Sequence, residues 1–175
     1  MAGGRRRRER GDWRVTDMAP TLGGFGVEIP FVHHLGFELT AFADGRSEIV
    51  YAPKAEHLNS FSVTHGGALM TLLDVSMATA ARSVSPDMGV VTIEMKTSFM
   101  QPAVGALVAK GHLMHRTATM AFTEATVFDA QGKACAHATG TFKYVKRLAT
   151  GSKSVNVLNA PKTTPTAGGA PVSTD

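Results

Sequence analysis

The 175-residue sequence predicts an α+β domain, an antiparallel sheet of about six strands set around one long central helix. Three observations carry that expectation. Thr64 to Ala81 is an apolar run at helical spacing, the segments on either side alternate with strand period, and tight-turn signals separate those segments so that neighbours pair as hairpins. Such a sheet must bury one face. The apolar helix is the only large object available to cover it.

Taken in order, a short element near Glu28 to His34 leads into two strands, Leu35 to Phe42 and Arg46 to Ala52. They join at Ala43-Asp44-Gly45, a hairpin signal because Asp-Gly tolerates the positive φ of a tight turn. Pro53 to Thr64 reads as a polar loop. In the helix, Leu69, Leu72, Leu73 and Met77 make a stripe, while Ala68, Val75, Ala78 and Ala80 leave the other faces nearly as apolar. That pattern predicts a helix enclosed on most sides. Ser85 to Gly89 is a break. Val90 to Met100 then alternates, with Val91, Ile93, Met95, Thr97 and Phe99 expected on one face and Thr92, Glu94, Lys96 and Ser98 on the other. Leu107 to Arg116, Met120 to Asp129 and Lys133 to Lys146 continue as strands, with turns at Thr117 to Thr119 and Ala130 to Gly132. The set Met70, Met77, Met88, Met95, Met100, Met114 and Met120 reads as adaptable core packing.

With 43% hydrophobic residues, the chain suffices for one domain, expected over residues 20–148. Residues 1–19 read as a basic disordered leader, and residues 149–175, rich in Ser, Thr, Pro, Gly and Ala, as a disordered tail. The net charge of +4 lies wholly in residues 1–14, where Arg5, Arg6, Arg7, Arg8, Arg10 and Arg14 face only Glu9 and Asp12. The rest balances. The body carries no nucleic-acid-binding motif, so no nucleic-acid partner is expected. Neither a secretory apolar core near the start nor a membrane-length apolar stretch is present, which predicts a soluble, cytoplasmic protein without a membrane span. Cys135 is the only cysteine, and its neighbour His137 reads as strand packing rather than as its base. The seven histidines show no metal-ligand spacing. No metal and no cofactor are expected.

Chemistry concentrates in the helix. Asp74 is its only acidic residue, and burying an unpaired carboxylate costs several kcal/mol or raises its pKa. Its ordinary reading is an ion pair or a backbone cap. His65-Gly66-Gly67 opens the same helix, where the first N–H groups lack intrahelical partners and the dipole is positive. Glycine lets a carbonyl oxygen developing negative charge reach those amides, which is the requirement for an oxyanion hole. Gly66 and Asp74 are eight residues apart, or roughly 12 Å along one helix at ~1.5 Å per residue. One carbonyl cannot easily meet both. If both are catalytic, a second copy of the chain must supply one of them, which predicts a homodimer with shared sites.

The segment Asn59-Ser60-Phe61-Ser62-Val63-Thr64-His65-Gly66-Gly67, with Asp74, Val90 to Met95 and Pro102, resembles the hotdog-fold acyl-CoA thioesterases of the phenylacetate-degradation (PaaI) type. The resemblance spans about Phe31 to Tyr144. It implies hydrolysis of acyl-CoA to free acid and CoA, in a homodimer or dimer of dimers with sites shared between subunits. By position it implies Asp74 as general base for water or as nucleophile, and the Gly66 N–H as oxyanion donor. Asn59 and His65 would orient the acid and support the hole, and Thr92 would position water. Each supporting residue has a plainer reading: Asn59 as a loop brace, His65 as a helix-start hydrogen-bonding residue, Thr92 as an ordinary strand residue. Lys96, His115 and Arg116 read as solvated rather than as CoA-phosphate contacts. An intact Asp74 disfavours the alternative, a non-catalytic acyl-CoA-binding or sensing protein on the same fold.

Overall fold

The structure, a computed structural model, describes residues 23–146. The expected leader and most of the expected tail boundary, residues 1–19 and 149–175, lie outside the described residues. The chain runs α1 (Pro30–Leu35), β1 (Phe37–Ala43), β2 (Arg46–Tyr51), a short 3-10 turn (Ala55–His57), α2 (Gly66–Arg82), β3 (Gly89–Phe99), β4 (Leu107–Arg116), β5 (Met120–Phe128) and β6 (Ala134–Val145). The six strands form one sheet in the order β1-β2-β4-β5-β6-β3. Every neighbouring pair is antiparallel.

Local chemistry explains the turns. Asp44 and Gly45 both have positive φ, 50° and 76°, as a two-residue hairpin with the twist of its strands requires. The Gly45 N–H then donates to Ser83 Oγ at 2.7 Å, tying the hairpin to the end of α2. At the far end of the sheet, Asp129 Oδ1 accepts from the Gln131 and Lys133 N–H groups and closes the β5–β6 turn.

Helix α2 lies across β2, β3, β4, β5 and β6. Beneath it the sheet is floored with small residues: Ala109, Ala121, Ala125, Ala136 and Ala138 are fully buried. At Gly111 the approach is closest, since a Cβ there would sit against the Ser76 carbonyl oxygen and 2.5 Å from Ser47 Oγ. Ser47 Oγ donates to the Ser76 carbonyl at 2.7 Å, so helix and sheet are joined by a buried hydrogen bond as well as by packing. Leu69, Leu72, Leu73 and Met77 fill the interface with Phe37, Leu39, Ile49 and Phe142.

Two sequence expectations need correction. First, α2 is not enclosed on most sides by the described residues of its own chain. Gly67, Met70, Thr71, Asp74 and Ala78 lie at helical spacing along an exposed or half-buried stripe, with Met70 41% exposed. Met100 and Met114 are likewise exposed rather than core. Second, the alternation along β3 is interrupted. The register against β6 shifts between Thr92 and Glu94: Thr92 is opposite Phe142 and Glu94 opposite Thr141. Ile93 is therefore the extra residue of a bulge, 55% exposed. Directly opposed residues share a face. Thr92, Met95, Thr97 and Phe99, opposite Phe142, Gly140, Ala138 and Ala136, thus lie on the helix side. Thr92 exchanges faces with Val91 and Ile93, and that exchange matters for the site.

Candidate active site

Asp74 sits midway along the uncovered stripe of α2, half-buried. The Thr92 hydroxyl donates to Asp74 Oδ1 at 2.7 Å. Burial pushes the Asp74 carboxyl above the usual 3.8, and the bond from Thr92 pulls it partly back. Two residues 18 apart in sequence therefore form one unit. The β3 bulge brings them together, because without the extra residue at position 93 either Thr92 or the Met95–Phe99 stretch would point away from α2.

The start of α2 forms a second cluster. His65 is the N-cap, and its Nδ1 accepts the Gly67 N–H at 2.9 Å. The Gly66 N–H has no acceptor within the described residues. The Gly66 amide is thus the open donor, and Gly67 is already engaged. Beside it lies the Phe99 ring, 3.4 to 3.9 Å from where a Gly66 Cβ would stand. Asn59 braces the approach: its Oδ1 accepts from the Phe61 N–H at 2.9 Å and the Val63 N–H at 3.4 Å. These bonds hold the loop that carries Ser62 at φ 58°. His65 and Asn59 both fill their plainer readings within one chain, and neither touches Asp74 there. The two clusters stay roughly 12 Å apart along α2.

One feature beneath the helix start was not legible. His57 is only 5% exposed, its Nδ1 accepts the Lys54 N–H at 3.2 Å, and its backbone carbonyl accepts the His65 N–H at 2.9 Å. Its Nε2, like the Tyr51 hydroxyl and Thr64 Oγ1, is buried without a hydrogen-bond partner among the described residues. Burial and the Glu56 charge push Tyr51 up to about 12. In sequence, His57 lies in a stretch that reads as polar loop, and nothing local distinguishes it from an exposed histidine.

Cys135 is buried, and desolvation raises its thiol. His137 shares its hydrogen bond with Thr126 at 2.9 Å instead. Among the described residues no cluster of three His, Cys, Asp or Glu side chains could hold a metal ion. None of their helices is long and apolar enough to cross a membrane.

Residues 61–136 match the thioesterase superfamily. A candidate esterase of Saccharolobus solfataricus is 32% identical over 104 residues, which span 59% of this chain and 74% of that one. Among solved structures, a conserved protein of Pseudomonas aeruginosa superposes with a TM-score of 0.65 at 27% identity, covering 69% of this chain and 97% of that one. A point mutant of the phenylacetic acid degradation protein PaaI of Thermus thermophilus gives 0.60 at 25%, covering 66% and 98%. The bulged six-stranded sheet around one main helix is the hotdog fold, and the chain belongs to the thioesterase superfamily.

Proposed function

We propose that the protein hydrolyses acyl-CoA thioesters to the free acid and CoA, with Asp74 activating water and the Gly66 N–H holding the oxyanion. The observation that carries this reading is the half-buried Asp74 carboxylate, bonded to Thr92 on the face of α2 that its own sheet leaves open. Thr92 occupies Oδ1, which leaves Oδ2 for a water molecule. A carboxyl raised by burial is a stronger base than a free aspartate, as proton abstraction near neutral pH requires. Water adds to the thioester carbonyl as its proton passes to Asp74, and the negative charge collects on the carbonyl oxygen at the Gly66 N–H. The C–S bond then breaks. The thiolate of CoA leaves and regains the proton from Asp74, so acid and thiol are formed with the carboxylate restored. A thioester carbonyl is poorly stabilised by resonance, so one or two amide donors and an activated water suffice.

The same reading requires two subunits, because Gly66 and Asp74 of one chain lie too far apart to share a carbonyl. Two features support a homodimer. Among the described residues β3 is an edge strand of 11 residues paired on one side only, and an unprotected edge of that length is a template for a second sheet. The α2 stripe that carries Asp74 is uncovered beside it.

The test is free-thiol detection on a panel of aryl, short and long acyl-CoAs, with Asp74→Asn alongside. Hydrolysis by the parent and none by the variant is expected; a fully active Asp74→Asn enzyme sinks the mechanism, and acyl-CoA binding without thiol release identifies a sensor. Sharing is tested by mixing inactive Gly66→Pro and Asp74→Asn subunits. Each mixed dimer regains one intact site, so random exchange restores about a quarter of parent activity. A mixture that exchanges subunits yet stays inactive refutes the shared site.

A further inference from the structure

The open Gly66 amide has an apolar neighbour that the chemistry above does not use. Phe99 stands at the end of β3, opposite the buried Ala136 and so on the helix side, with its ring 3.4 Å (Cζ) and 3.5 Å (Cε1) from the position of a Gly66 Cβ. The ring is 53% exposed, so one part of it packs against the helix start and another faces open space. The Thr64 N–H donates to the Ala103 carbonyl at 2.9 Å, which ties the loop after Phe99 to the loop before Gly66. On those two loops Phe61, Met100 and Val104 are exposed as well. Residues 59–67 and 99–105 together contain no Lys, Arg, Asp or Glu.

We infer that Phe99 is the specificity-determining wall of the acyl site, selecting uncharged apolar acyl groups that are slender next to the carbonyl. The inference rests on the Gly66 amide being the oxyanion donor. A carbonyl oxygen at hydrogen-bond distance from that amide brings its carbon, and the first atoms of the acyl group, alongside the Phe99 ring. Branching at the atom next to the carbonyl collides with the ring, whereas a linear chain passes along it. An acyl group with a terminal carboxylate meets an apolar rim without a counter-charge, and desolvating its charge there is unfavourable. A hydrophobic wall discriminates modestly, by roughly tenfold to a few hundredfold for a small group.

The experiment compares kcat/KM for butyryl-CoA, pivaloyl-CoA and succinyl-CoA in the parent, Phe99→Ala and Phe99→Leu. In the parent, butyryl-CoA is preferred over both others. In Phe99→Ala the pivaloyl-to-butyryl ratio rises about tenfold or more, with Phe99→Leu between, while the preference for butyryl-CoA over succinyl-CoA remains. Ratios within one enzyme cancel any loss of folded protein, and thermal melts of both variants check the fold. Ratios unchanged in both variants, with a parent that turns over butyryl-CoA, overturn the role of Phe99. A parent that prefers succinyl-CoA overturns the apolar class. Thiol release from none of the three by a parent that hydrolyses other acyl-CoAs overturns this inference alone, and release from no acyl-CoA at all overturns the proposed function with it.

Discussion

Gly66→Pro removes the proposed oxyanion donor and little else. Gly66 is the first residue of α2, where proline is tolerated because its missing N–H has no helical acceptor to lose. The preceding His65 has φ −59° and ψ 136°, inside the extended region that a residue before proline adopts. Among the described residues no backbone or side-chain acceptor takes the Gly66 N–H, so no structural hydrogen bond between them is broken. A Cβ at this position meets the Phe99 ring at 3.4 Å, an ordinary contact. Stability should hold, or rise by about 0.4–1 kcal/mol through loss of unfolded-state freedom. Activity should not. Removing one oxyanion donor typically costs about 2.7–4 kcal/mol, or roughly 10²–10³ in kcat. Gly66→Ala is the control, because it adds the same Cβ but keeps the N–H, and it should stay within a few-fold of the parent. Thiol release gives kcat and a thermal melt gives stability. A Gly66→Pro enzyme that melts with the parent and hydrolyses at the parent's rate refutes the assignment, since Gly67 cannot substitute while its N–H is held by His65 Nδ1.

Asp74→Asn should be inactive yet melt above the parent at neutral pH. The folded carboxyl is raised above its usual 3.8, so its contribution to stability is present below that value and is lost as pH rises through the folded pKa. The difference between the two melts should therefore shrink toward pH 3, and identical melts at every pH contradict the raised pKa. Thr92→Val deletes the bond that lowers Asp74, so the acidic limb of the kcat/KM profile should move to higher pH. The rate should also fall roughly ten- to a hundredfold, as for loss of a hydrogen bond to a charged group; an unmoved limb counts against Thr92 as the partner of the base. Gly111→Ala should lower the melting temperature through overpacking of about 1–3 kcal/mol or more, because its Cβ meets the Ser76 backbone and Ser47 Oγ. A melt unchanged by that substitution contradicts the close approach of α2 to β4.

Much of this architecture was legible in the sequence, because the turn and helix signals are local. Asp44-Gly45 specified its own φ angles, and the spacing of Leu69, Leu72, Leu73 and Met77 specified the buried face of α2. The bulge was not legible. Val91, Ile93, Met95 and Phe99 are all apolar, so counting by twos runs through position 93 without a sign that one residue is extra. Only the register against Phe142 and Thr141 on β6, a partner some 50 residues away, reveals it. The open stripe of α2 was hidden for a different reason. Met70, Ala78 and Val75 have the composition of a core face, and a residue that meets a second molecule looks in sequence like one that meets its own sheet. Asp74 was the exception legible at once, because a carboxylate among such residues contradicts either kind of packing.

That contradiction also bears on how the activity would depend on assembly. In the single chain Asp74 is only half-buried, and desolvation already outweighs the Thr92 bond in setting its pKa. Covering the α2 stripe with a second subunit removes more water from the carboxylate without supplying a cation from the stripe itself, whose other members are Gly67, Met70, Thr71 and Ala78. That desolvation pushes the pKa up, while the positive helix start of the other subunit, which the shared site brings beside the carboxylate, pulls it down. In the proposed dimer the association that completes the site is thus the association that tunes it. The carboxylate opposes association by its desolvation, the exposed apolar groups Met70 and Ile93 favour it, and the balance is struck at the proposed catalytic residue.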